Sequence, residues 1–352
     1  MKIQFQQKVS IPFLCASMLV SIVGTYFIAN YFNTKKNAEI AMEQEFEFNN
    51  SPKQLTNNAS CSYAIKRLSG YNYIKPIMFV ESECESEALG IVKHDVAALI
   101  DKYKSTGVIN SASVYLKDYS DNSWFGINEN EEYKPGSLLK VPELIAILKM
   151  SESNPAFLNK KITYDKPYAS GKMGLYLSKT LVLGQTYTVK ELLHYMIAYS
   201  DNRATALLNA NIDYKIFTKI FNDFGLKAPD WKAGDYPISA RNYSLFMRCL
   251  YNACYLSKDN SELATQMLSQ CDFDKGIKKG LPSDIKIAHK FGESGTNTEQ
   301  QLHESALIYL KNKTYLVTIM TRGTNPLNLP IVIENISYTI YKGIEATNAD
   351  TI

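Results

Sequence analysis

Ser137 and Lys140 stand three residues apart in Pro135-Gly136-Ser137-Leu138-Leu139-Lys140-Val141-Pro142, at the head of a segment that is apolar nearly all round. Positions i and i+3 share one face of a helix, so the hydroxyl and the amine would sit together at the start of a buried helix. A serine hydroxyl is a poor nucleophile until a base takes its proton. A lysine in an apolar setting has its pKa lowered by desolvation and can be that base. The helix N-terminus adds oriented N–H groups that favour the negative charge developing during attack. Pro142 has no N–H to donate, which removes one helical bond near Leu138 and loosens the first turn. The chemistry such a pair could do is acyl transfer through a serine.

Two later segments complete a set. Tyr199-Ser200-Asp201-Asn202 follows directly on a helical run, and His289-Lys290-Phe291-Gly292 closes a strand-like one. Ser200 could relay a proton from Lys140 to a leaving group, and Asn202 could hold a substrate amide. Lys290 offers a positive charge beside a cleft, and Gly292 lets a ligand approach the backbone. Taken singly, each has an ordinary structural reading: a capping serine with a solvated lysine, an Asx-type turn, an exposed lysine on a strand. A second Ser-x-x-Lys, Ser283 to Lys286, carries no such meaning.

In order, the three segments resemble the Ser-x-x-Lys, Ser-Asp-Asn and Lys-Thr-Gly elements of class A β-lactamases and penicillin-binding proteins. Tyr187-Thr-Val-Lys-Glu-Leu-Leu before Ser200 and Ile238-Ser-Ala-Arg-Asn-Tyr-Ser-Leu-Phe after it add to the likeness. The resemblance runs from about Leu89 to the C-terminus. It implies Ser137 as acylated nucleophile, Lys140 as its base, Ser200 as proton relay, Asn202 as substrate-amide contact and Lys290 as electrostatic anchor beside Gly292. It also implies an oxyanion hole from the backbone N–H groups of Ser137 and Glu293. Asp201 is expected to hold the turn. No cofactor and no metal is implied.

The chain departs from the family in two places. The Glu-x-x-Leu-Asn loop, whose glutamate positions the deacylating water, has no counterpart. The region where it is expected, Leu226 to Ser239, is short and offers only Asp230 and Asp235, and the one glutamate between Asn202 and Lys290, Glu262, comes too late. Phe291 replaces the hydroxyl residue of the third segment and so removes a hydrogen bond to a substrate carboxylate; Ser294 is the nearest partial substitute. Acylation machinery is therefore expected without the usual deacylation machinery. The resemblance implies a serine hydrolase acting on cyclic amide bonds, opening β-lactams with slow release. The alternatives are a D,D-peptidase or other acyl hydrolase on cell-wall peptides, and a catalytically silent envelope module that keeps the fold for binding.

The elements that must position these residues follow from periodicity. Leu89 to Lys104 has helical spacing and Gly107 stops it. Ser113 to Asp118 and Ser123 to Asn128 read as a hairpin, and Thr188 with Glu191 forms a capping box ahead of Val189 to Tyr199. Ile238 to Tyr255 and Ile331 to Ile344 read as helices, and Ile285 to Phe291, Ser305 to Leu310 and Thr314 to Arg322 as strands. Strands at both ends with helices between them predict an α+β fold: one antiparallel sheet built from both ends of the domain, with an inserted all-α block. His303 and Arg322 fall near the same strand ends, where structural roles are expected.

Residues 1–10 form a short leading segment, and 11–32 carry no charge over a length that could cross a bilayer as an uncleaved anchor. Residues 33–70 read as a polar tether and 71–352 as the hydrolase domain, with its core at 89–352. This places the domain outside the cytoplasm on a single-pass anchor, with the membrane and a small-molecule substrate (a β-lactam or cell-wall peptide) as its partners. A net charge of +3 over 352 residues, with no basic stripe, points away from nucleic acid. Cys61 and Cys84 could pair outside the cytoplasm, while Cys249, Cys254 and Cys271 read as small buried hydrophobes.

Overall fold

The strand Thr314–Gly323 shows how the domain is layered. Tyr315, Val317 and Ile319 enter one buried cluster, and Leu316 and Met320 enter another on the opposite side. Side chains alternate across a strand, so this strand is buried on both faces and its sequence reads as a continuous apolar run. In the computed structural model, residues 61–167, 174–230, 236–296, 298–311 and 313–349 are described. All of them fall in one compact unit, Cys61–Ile352.

Eleven strands occur among the described residues. β1 (Tyr63–Arg67) and β2 (Ile77–Ser82) form an antiparallel pair. The central sheet takes β3 (Ser111–Asp118) and β4 (Trp124–Ile127) from early in the domain. Short pairs join β5 (Glu132–Tyr133) to β8 (Ile238–Ser239) and β6 (Lys161–Thr163) to β7 (Thr186–Thr188). β9 (Lys286–Gly295), β10 (Gln300–Tyr309) and β11 (Thr314–Gly323) then complete the five-stranded sheet in the order β4-β3-β11-β10-β9. All its pairings are antiparallel. The expected sheet built from both ends of the domain is what forms, with the helical block between.

One face is covered by the helices Gly90–Ser105 and Leu329–Ala349, which contribute Val92, Val96, Ile100, Ile333, Ile336 and Ile340. On the other face the helix Ala240–Tyr251 packs against the sheet, and Lys140–Ser153 lies in the same buried cluster, buried through most of its length from Lys140 to Ser151. The all-round apolar pattern predicted that central placement. The Thr188 capping box is present, with Thr188 Oγ1 accepting from Glu191 N–H and the Glu191 carboxylate accepting from Thr188 N–H.

Several boundaries differ from expectation, among them the end of β9, which runs to Gly295 rather than Phe291, and the helix expected over Ile238 to Tyr255, which is Ala240–Tyr251. The region read as a tether to residue 70 already contains β1 at Tyr63–Arg67. β10 starts at Gln300, five residues before the expected Ser305. The central helix opens as a tight 3₁₀ turn, Gly136–Leu139, before α geometry begins at Lys140. Pro142 explains the last, since it cannot donate to the Leu138 carbonyl. The Tyr243 hydroxyl donates to that carbonyl instead, at 3.0 Å.

Cys61 and Cys84 form a disulfide that ties the start of the described residues to the segment after β2. Cys249 and Cys271 are buried and unpaired, and Cys254 is partly buried. The apolar stretch at 11–32 lies outside the described residues. Among the described ones, no helix is long and apolar enough to cross a membrane.

Candidate active site

Ser137 sits in the turn Gly136–Leu139, which runs along the free edge of β9. The approach is too close for side chains. A Cβ on Gly292 would come within 2.3 Å of the Pro135 carbonyl oxygen, and one on Gly136 within 2.1 Å of the Glu293 carbonyl oxygen. Gly136 also has φ +54°, a left-handed backbone that glycine adopts at least cost. Two glycines therefore let the turn that carries Ser137 dock flush on the strand that carries Lys290.

The turn is also fastened from behind. The Lys134 carbonyl accepts from His303 Nε2 at 3.0 Å and from the Ser294 hydroxyl at 2.7 Å, and Lys134 N–H donates to Gln301 Oε1 at 3.0 Å. His303 is structural, as expected, and burial pushes its pKa down to about 3, so it stays neutral. Arg322 donates to the Glu132 carbonyl, another scaffold contact. Ser294 faces Lys134 rather than serving as the substitute hydroxyl expected from its position.

Lys140 is buried and makes three polar contacts. Its Nζ donates to the Ser200 carbonyl at 2.6 Å, to Asn202 Oδ1 at 2.8 Å and to Ser200 Oγ at 3.2 Å. Lys290, fully buried on β9, donates from the other side to the same Ser200 Oγ at 2.9 Å and to the Phe291 carbonyl at 2.8 Å. Ser200 holds φ +55°, unusual for a residue with a side chain and costing about 1–3 kcal/mol. That conformation turns its carbonyl and hydroxyl toward one lysine. Asp201 locks the turn: Oδ1 accepts from Arg203 N–H and the Thr180 hydroxyl, and Oδ2 accepts from Leu181 N–H.

Burial is the main cause pushing the Lys140 pKa well below the usual lysine range, and the Lys290 charge pushes the same way. Glu143, Asp201 and Glu293 oppose the shift. Burial also lowers Lys290, to about 8. Both amines thus titrate far closer to neutrality than a solvated lysine.

Ser137 and Ser200 line one cleft with Gly174, Leu177, Thr180, Asp201, Asn202, Arg203, Phe291 and Glu293. Its enclosed space is about 60 Å³, roughly the share of two water molecules in the liquid. A reacting carbonyl fits there, and the rest of a substrate would lie at the mouth.

A scan for families matches residues 92–344 to the model of the β-lactamase enzyme family. The chain belongs to that family. Solved structures with the same fold include a PBP-A variant described as an acyl-enzyme complex with penicillin G (18% identity, TM-score 0.61, 73% of this chain and 97% of that one). A β-lactamase from Xanthomonas campestris pv. campestris aligns at 18% identity and TM-score 0.62, over 72% of this chain and 98% of its own. A class A β-lactamase from Mycobacterium abscessus aligns at 19% identity and TM-score 0.59, over 72% and 99%. At these identities the likeness shows the fold. No curated protein sequence matches the chain.

Within this β-lactamase family member, sequence reasoning missed two carboxylates. Glu143 lies one turn after Lys140 on the same helix, buried, with Oε1 accepting from Asn209 Nδ2 at 3.3 Å and Oε2 without a partner. Burial raises its pKa toward neutrality. Its spacing from Lys140 was a usable signal. The Glu293 side chain is the other: its Oε1 accepts from Leu175 N–H at 3.1 Å at the cleft wall. Phe291 stacks on Phe273 with ring centroids 4.4 Å apart, so its ring is tied into the core. Of the two aspartates offered for the missing loop, Asp230 does not line the cleft and Asp235 lies outside the described residues.

Cys271, His289 and Glu304 form a second constellation of nucleophile, base and acid types. His289 Nδ1 lies 2.7 Å from Glu304 Oε1, and Glu304 Oε2 accepts from Ile277 N–H at 2.7 Å. All three residues are buried, and none of them lines the cleft that holds Ser137. The cluster fastens the Gly276–Lys279 turn behind β9. The exposed Ser283 and Lys286 gather no partner of this kind.

Proposed function

We propose that this protein is a membrane-anchored, extracytoplasmic serine hydrolase that opens the β-lactam amide through an acyl-enzyme on Ser137 and releases it slowly. The observation that carries the reading is the convergence on Ser200. Lys140 and Lys290 both reach its hydroxyl, and that hydroxyl shares a cleft with Ser137.

The steps follow from these positions. Neutral Lys140 accepts the Ser137 proton, directly or through the Ser200 hydroxyl, as Ser137 Oγ bonds to the amide carbon. The close approach of Gly136 to Glu293 supports the Ser137 and Glu293 N–H groups as donors to the resulting oxyanion. Collapse breaks the C–N bond, and the proton passes from Lys140 through Ser200 to the leaving nitrogen. Asn202, at the cleft wall, holds the substrate amide. Lys290 keeps Ser200 oriented and adds positive charge.

Slow release is supported by where the carboxylates are used. Among the described residues, the carboxylates lining the cleft are Asp201 and Glu293. Asp201 is committed to its cap, and Glu293 accepts backbone N–H groups, so neither is placed as the family's loop glutamate would be. The anchor rests on the uncharged stretch at 11–32, and the Cys61–Cys84 disulfide fits an oxidising compartment.

Intact-mass time courses with benzylpenicillin test acylation and release together. The wild-type chain is expected to gain the mass of one penicillin and to lose it over many minutes, and Ser137→Ala to gain none. No adduct on wild type, or an equal adduct on Ser137→Ala, overturns the reading.

A further inference from the structure

The strand wall of the cleft carries a negative charge where a substrate carboxylate would be received. Glu293 follows Gly292 on β9, and its carboxylate accepts from Leu175 N–H at 3.1 Å and from Tyr176 N–H. A Cβ on Gly174 would come within 2.4 Å of Glu293 Oε2, so the carboxylate lies against another residue lining the cleft. The groups that could receive an anion on this wall are engaged elsewhere. Lys290 is fully buried and donates to Ser200 Oγ and the Phe291 carbonyl. The Ser294 hydroxyl is spent on the Lys134 carbonyl. Phe291 has no hydroxyl to offer. Among the described residues, the cation lining the cleft is Arg203, on the helical wall, where its Nη1 reaches toward the Leu181 carbonyl at 3.4 Å.

We infer that Glu293 is a specificity-determining residue: it makes the cleft react more slowly with acyl donors that carry a carboxylate beside the scissile bond than with neutral or cationic ones. The inference rests on the Ser137 acyl-enzyme reading and narrows its substrate class. A carboxylate presented to β9 must either sit beside the Glu293 charge in a partly desolvated cleft or displace Glu293 from its two N–H donors. Like charges at short range in such surroundings repel strongly. An ester, an internal amide or an amine-bearing group meets no such opposition. A substrate with its anion placed further off could still use Arg203 on the other wall.

The test compares benzylpenicillin with its methyl ester, which differ only in that carboxylate, by acylation rates from intact mass at pH 8. The wild-type chain is expected to react faster with the ester. Glu293→Gln should move the acid-to-ester rate ratio about tenfold toward the acid, and Glu293→Lys further. The ratio is internal to each variant, so a general loss of activity does not imitate the effect. Raising ionic strength screens the repulsion and should move the wild-type ratio the same way without any substitution. A wild-type preference for the acid overturns the inference while the Ser137 reading stands, as does a ratio unmoved by both Glu293→Gln and salt. No Ser137 adduct from either compound overturns the Ser137 reading and the inference with it.

Discussion

The two walls of the cleft have diverged to different degrees. On the helical wall, Ser137, Lys140, Ser200 and Asn202 keep the order of the family pattern, and Lys140 reaches both of the latter two. On the strand wall only Lys290 and Gly292 keep the expected pattern. Phe291 is drawn into the core beside Phe273, and Glu293 puts a carboxylate at the mouth. On the proposed reading, the family pattern is kept where bonds would be made and altered where a substrate would be chosen. Acylation and selection are then assigned to different elements, and the proposal stands or falls on whether one can change without the other.

The largest expected effect breaks the helical wall. Lys140→Met keeps much of the buried shape but removes the base and all three Nζ contacts. Acylation by any donor, penicillin or its ester, should fall by about 10²–10⁴, the usual worth of a positioned proton acceptor. The second-order rate of mass gain reads it. A rate within threefold of wild type would mean that another group takes the Ser137 proton.

A smaller effect links the walls through charge. Lys140 must be neutral to accept a proton, so acylation should rise with pH as its ammonium deprotonates. Burial and the Lys290 charge both lower that pKa. Lys290→Met removes one positive neighbour, so the rising limb should move to higher pH, by up to about one unit. It should remain below the range of a solvated lysine because burial, the larger cause, is unchanged. A limb that stays put, or moves down, would show that Lys290 does not act on Lys140 electrostatically.

The same divide separates what the sequence disclosed from what it hid. The buried helix from Lys140 was legible because its apolar pattern is local, and the Thr188 capping box for a similar reason. The sheet was legible in β11, where apolar residues run through both faces. The front half of β10 was not, because Gln301, His303 and Glu304 are polar yet buried. Each is satisfied by a partner far along the chain: Lys134, Lys134 again, and Ile277 with His289. Glu293 was hidden for the same reason. Its side chain is placed by Leu175, 118 positions away, and no local pattern announces such a contact. Glu143 was legible in principle, since it stands one helical turn from Lys140 on the same helix.

The smallest predicted effect tests whether the helical wall owes its integrity to scaffold contacts that never touch a substrate. Pro142 leaves the Leu138 carbonyl without its helical donor, and the buried Tyr243 hydroxyl supplies one at 3.0 Å. Tyr243→Phe removes that donor while keeping the ring, leaving a buried carbonyl short of a partner. The cost should be about 1–3 kcal/mol, read as a fall of several degrees in Tm for a domain of this size. Leu138 is the residue after the nucleophile, so acylation should slow for penicillin and its ester alike, leaving their ratio unchanged. Such a uniform loss is the signature of the helical wall. A changed ratio would instead show that the two walls are mechanically coupled through the turn that docks on β9, and that selection is not confined to the strand.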